Sequence, residues 1–96
     1  MICGSSIITA SKEQVSSDLA GEVIILGLKS GSYFGLDGVG ALIWSLIQKP
    51  ISVQDIRDAI LKNYDVEAER CEEDLMALLE EMAKAELIEV EDGAVR

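Results

Sequence analysis

The amino-acid sequence predicts an α+β fold of winged helix-turn-helix type: an N-terminal three-stranded antiparallel sheet, then three helices and a short wing. Three observations carry this reading. Two β-branched, apolar runs flank the turn dipeptide Ser30-Gly31, three amphipathic segments with separate start and stop signals follow, and a last short apolar run precedes Asp92-Gly93.

The strands come first. Ser5–Ala10 has the β-branched content of a short strand, and the polar stretch Ser11–Asp18 reads as a loop. The run Glu22–Lys29 is apolar on both faces, which predicts a central strand covered on each side. After Ser30-Gly31 the chain returns as Ser32–Leu36, the third strand, placed at the sheet edge.

The helices follow from spacing. Val39, Leu42, Ile43, Leu46 and Ile47 form one stripe behind a cap at Asp37, and Lys49-Pro50 ends that helix because proline disfavours helical geometry in the residue before it. Ser52-Val-Gln-Asp55 resembles a capping box and opens a second helix with Val53, Ile56 and Ile60 inward, broken at Asn63–Val66. A third helix over Ala68–Ala85 carries Cys71, Leu75, Leu78, Leu79 and Met82 on its buried stripe. Leu87–Val90 then forms a strand that turns at Asp92-Gly93 into a wing with Ala94-Val95.

With 96 residues, 49% of them hydrophobic, the chain holds one core: an N-terminal strand and loop (1–21), a principal unit (22–90) and a brief tail (91–96) within one domain. Its longest apolar runs fall far short of the roughly 20 residues of a membrane-spanning helix. No basic segment and apolar core mark a secretory signal, so a soluble, cytoplasmic protein is expected.

The chemistry of an enzyme is missing. There is no histidine, which removes the commonest general base and the Cys/His and Ser/His/Asp arrangements. Cys3 and Cys71 read as free thiols, and two cysteines without histidine make a poor zinc site, so neither metal nor cofactor is expected. Gly27, Gly31, Gly35, Gly38 and Gly40 match no phosphate-loop spacing. A formal charge of −10, with eleven acids between Glu67 and Asp92 against Arg70 and Lys84, repels nucleic acid and anionic membranes. A transcriptional regulator of winged-helix type and a small-molecule carrier are the alternatives to a peptide-binding module.

The segment Gly31–Ile47, with Ile51–Ile56, Tyr64–Val66 and Asp74–Met82, resembles the PqqD family, the peptide chaperones whose domain is the recognition element for ribosomally made, modified peptides. Tyr33–Asp37 followed by Ala41–Trp44 is most similar to the stand-alone leader-binding subunit of split lasso-peptide maturation proteases. The resemblance implies a non-catalytic protein that binds the leader of a precursor peptide by strand addition. It would present the leader to a transglutaminase-like cysteine protease and to a cyclase. It places the leader between the third strand (Ser32, Tyr33, Phe34, Gly35, Leu36) and the third helix (Cys71, Asp74, Leu75, Leu78, Leu79, Met82), with Phe34, Leu75 and Leu79 shaping the groove from beneath.

Overall fold

The computed structural model describes residues 2–91. Its elements are β1 (Ile7–Ala10), β2 (Gln14–Leu19), β3 (Glu22–Gly27), β4 (Tyr33–Leu36), α1 (Val39–Leu46), β5 (Ile51–Ser52), α2 (Val53–Asn63), α3 (Ala68–Lys84) and β6 (Ile88–Glu91). They assemble into the expected α+β, winged-helix-like architecture, an antiparallel sheet followed by three helices.

The membership of that sheet differs from the expectation. The meander is β2-β3-β4, and Gln14–Leu19, expected within a loop, supplies its first strand. The hairpin closing β2 onto β3 turns at Ala20 and Gly21, both at positive φ (52° and 86°) with Leu19 opposite Glu22. This is the backbone of a two-residue type I′ turn, but an Ala-Gly pair lacks the Asn-Gly or Asp-Gly signature that announces one. The strand itself is polar and its residues largely exposed, so no apolar alternation marked it.

The first strand, β1, lies instead in a second sheet of order β5-β1-β6, antiparallel to both neighbours, with Ile7 opposite Glu91 and Ala10 opposite Ile88. The strand after α3 therefore pairs back onto the N-terminal segment. The expected turn and Ala94-Val95 lie outside the described residues.

Nor is β3 covered on both faces. Val23 and Ile25 are buried toward the helices, whereas Leu26 on the other face is exposed and Ile24 half-buried. The same face carries Val15 and Leu19 of β2 and Tyr33 of β4, the last 72% exposed, so one side of the meander is an open apolar surface.

The helical starts are settled locally. Ser52 Oγ accepts the Asp55 N–H at 3.1 Å, as the capping box predicts. Asp37 does not cap α1 with its side chain. The N-cap is Gly38 at φ 53°, and the Asp37 carbonyl accepts from Gly40 N–H at 3.0 Å. At its other end α3 closes with the Leu87 N–H on Met82 O (2.9 Å) and the Glu86 N–H on Ala83 O (3.1 Å), with Glu86 at φ 61°. That is a Schellman turn whose left-handed position is held by glutamate where glycine is usual.

One core joins the layers: Ile43, Trp44 and Ile47 near α1, Val53, Ile56 and Ile60 of α2, and Cys71, Leu75, Leu79 and Met82 of α3 pack with Val23, Ile25 and Leu36 of the meander and Ile8 of β1. Leu78, expected among the buried stripe, is only half-buried because the stripe's axis runs through Leu75, Leu79 and Met82.

Two outcomes follow from this geometry. Leu79 is 0% exposed, so Leu79→Ala should cost about 2–5 kcal/mol in a denaturant titration, and Leu78→Ala clearly less. Equal losses would refute the helix phase. Glu86→Gly should raise the melting temperature by relieving a left-handed non-glycine residue, worth a few tenths to about 1 kcal/mol. A lower melting temperature would contradict the turn.

Candidate functional site

Among the described residues the edge strand β4 bonds to β3 alone, in the register Val23↔Leu36, Ile24↔Gly35, Ile25↔Phe34 and Leu26↔Tyr33. The Gly27 N–H donates to Ser32 O at 2.8 Å, one step beyond Leu26↔Tyr33. Because hydrogen-bonded and open pairs alternate along an antiparallel ladder, Phe34 and Leu36 spend their backbone groups on β3. The N–H and C=O of Tyr33 and Gly35 consequently point away from the sheet, toward a free edge.

What lies beside that edge is fixed at both ends. Near the hairpin, Ser30 Oγ donates to Ala85 O at 2.9 Å, tying the β3–β4 turn to the end of α3. Gly27 makes the approach possible. A Cβ there would stand 2.9 Å from Leu87 Cδ2 and from Ser30 Oγ, and 3.3 Å from Ala85 O. Beyond β4, Val39 and Gly40 at the start of α1 line a groove of about 490 Å³ together with Asp74, Leu75 and Leu78 of α3. The edge strand therefore runs alongside α3 from its C-terminal end toward its N-terminal half.

The residues expected at the site fall into three sets. Cys71, Asp74, Leu75 and Leu78 line the groove, with Asp74 exposed at the rim and Leu78 half-buried. Ser32, Tyr33, Phe34, Gly35 and Leu36 supply the neighbouring edge and do not line the cavity itself; Leu36 is buried, Phe34 half-buried and Tyr33 turned to the open face. Leu79 and Met82 are completely buried in the core and only support the wall.

Sequence reasoning missed the far side of the groove: Val39 and Ile43 of α1, Ile60 of α2, and Val66, Glu67 and Arg70 at the start of α3. Val39, Ile43 and Ile60 read as core stripe, and their helical spacing carries no sign that a space opens between the stripes. Val66, an exposed apolar residue immediately before a helix, was the available signal. The mouth is polar and mostly acidic, Glu67 and Asp74 with Arg70 between them, and Arg70 Nε reaches Asp74 Oδ2 at 3.9 Å. The lining thus offers an apolar floor for side chains, while the neighbouring edge offers backbone donors and acceptors. No group of three or more His, Cys, Asp or Glu among the described residues could hold a metal ion.

The two cysteines are free and differ in reactivity. Cys3 is exposed, and hydrogen bonds from the Ser5 and then the Ser6 side chain lower its pKa from 9.0 to about 7. Burial pushes the Cys71 thiol up, against the pull of Arg57. Among the described residues, no helix is long and apolar enough to cross a membrane.

A family profile described as coenzyme PQQ synthesis protein D (PqqD) matches residues 22–88. The chain is similar to TbiB1, solved in complex with the TbiA(beta) leader peptide, at 41% identity and a TM-score of 0.77, over 84% of this chain and 94% of that one. It is also similar in fold to a lasso peptide synthetase B1 solved in complex with the leader peptide, at 22% identity and a TM-score of 0.73, over 85% and 96% of the two chains. Among curated protein sequences, none matches.

The cysteines give a direct check on the local electrostatics. Iodoacetamide should label Cys3 first, at a rate that rises through about pH 7 as its thiolate forms, with Cys71 labelled only on denaturation. Peptide mass spectrometry reads both, and faster labelling of Cys71 in the native protein would contradict its placement.

Proposed function

Because the chain belongs to the PqqD family, we propose that it binds the leader region of a ribosomally synthesised precursor peptide by strand addition at β4. It is a non-catalytic recognition element that presents the leader to maturation enzymes. The observation carrying this reading is the free edge of β4 held alongside α3, with an apolar groove beyond its end.

A leader running along this edge meets the N–H and C=O of Tyr33 and Gly35, and its side chains fall alternately to either side. Those turned inward reach the wall of α3 at Leu78 and the groove floor at Leu75 and Cys71, with Asp74 at the rim. Those turned outward join the open apolar face beside Tyr33 and Leu26. Affinity comes from the backbone ladder and selectivity from the side chains accepted by the groove.

The enzymes served are a leader protease of transglutaminase-like cysteine type and a cyclase, as in lasso-peptide maturation. Likeness to TbiB1, solved with a leader peptide, supports a leader as the ligand. The open face formed by Val15, Leu26 and Tyr33 supports an enzyme seated against the meander, next to the captured leader. Holding the precursor there raises its effective concentration at the active site, so the enzyme itself needs little affinity for the peptide.

The TbiA(beta) leader is a ready probe. In an NMR titration, amide shifts should concentrate at residues 32–36 and 71–82 and spare Val53–Asp58, the part of α2 away from the groove-lining Ile60. Gly35→Pro removes an edge N–H that makes no bond to β3, and should lower affinity at least tenfold, about 1.4 kcal/mol, while the protein stays folded. N-methylating a leader amide that faces the strand should weaken binding by more than ~1 kcal/mol, and an outward amide far less. Shifts centred on α2 would sink strand addition.

A further inference from the structure

The meander has a second free edge, β2, and its chemistry is self-complementary. The Leu28 N–H donates to Glu13 O at 2.9 Å, one step before Gln14↔Gly27. By the alternation of the ladder, Val15, Ser17 and Leu19 bond to β3, and the N–H and C=O of Gln14, Ser16 and Asp18 point outward. This edge is six residues long, contains no Lys, Arg or Pro, and has no further strand on it among the described residues.

Natural edges are commonly guarded against chance pairing by lysine, proline or an inward-turned charge. Here the guard is Asp18, whose side chain lies on the helix-side face of the strand with those of Gln14 and Ser16. An arbitrary strand would set an apolar side chain against that carboxylate. A second β2 does not. Laid antiparallel about a two-fold axis at Ser16, it pairs Gln14 with Asp18 of the second copy, Ser16 with Ser16, and Asp18 with Gln14.

Every outward backbone group then finds a partner, and each Asp18 carboxylate faces a Gln14 carboxamide N–H. Gln14 Oε1 is buried and without a donor in the single chain, and the swing of the side chain toward the edge that brings its N–H to Asp18 also releases this orphaned oxygen. On the opposite face each exposed Val15 stands opposite Ser17 of the second copy, and the two Val15 side chains lie diagonally across the axis.

We propose that the protein self-associates through β2, joining two three-stranded meanders into one six-stranded sheet. Both β4 edges lie at its outer ends and stay open, so the pairing does not depend on what β4 binds. The interface is one strand wide and belongs to the small, transient class. The formal charge of −10 on each copy opposes it, so association strengthens as salt screens the repulsion.

Sedimentation of the full chain from about 10 µM to about 1 mM, at roughly 0.05 M and 0.5 M NaCl, should show a reversible monomer–dimer equilibrium favoured by concentration and by salt. Ser16→Pro, which deletes the N–H at the axis and no bond to β3, should leave a folded monomer. If that variant unfolds, a mixed-isotope sample of the natural chain decides, through an interchain Hα–Hα contact between Val15 and Ser17. A monomer under every condition, a dimer that survives Ser16→Pro, or β2 amides that respond to added TbiA(beta) leader in place of concentration would each overturn the proposal.

Discussion

The close approach of the β3–β4 hairpin to the end of α3 governs the rest of the molecule. Gly27, Ser30, Ala85 and Leu87 meet there, with one hydrogen bond across 55 residues of sequence and a space that admits no Cβ without displacement. A strand edge binds any extended chain indifferently; an edge held at a set distance from a helix binds only chains whose side chains fit between. The glycine therefore sets where the hairpin stands against α3, although it does not line the groove.

The core shares this logic. The apolar stripes of α1, α2 and α3 converge on Val23, Ile25 and Leu36, so the meander is held by its inner face alone. Packing stops short near the start of α3, where Val39, Ile60 and Val66 surround space. A close-packed interior would be more stable at that point and would have nowhere to receive a side chain. Acids at the rim keep the opening solvated.

Most of the architecture was legible in the sequence because helices announce themselves. Val53, Ile56 and Ile60 behind Ser52 gave α2, with its cap, and Cys71, Leu75 and Leu79 gave α3. The strands were legible where they were buried, as at Val23 and Ile25, and illegible where they were not. Polar β2 has the composition of a loop and owes its conformation to the turn at Ala20-Gly21 and to the ladder with β3. The partner of β1 was hidden for another reason: pairing across some 80 residues leaves no local periodicity, so the wing was assigned to nearby residues. For the candidate site, resemblance and an edge argument pointed to the strand and the helix. The far wall of the groove was missed, since a cavity is a property of three helices together. Leu78 differs from Leu79 by one residue in sequence and by about 100° around the helix, enough to move it from core to groove.

The pairing of β1 with β6 sets Ile7 directly opposite Glu91. The first and the last strands of the described fold thus lie side by side, on the sheet that takes no part in the groove. Such adjacency makes the unit portable: it can be spliced before, behind or within another polypeptide through two neighbouring attachment points, and the β4 edge stays clear of them. Its modularity comes from the same strand pairing that local sequence patterns concealed.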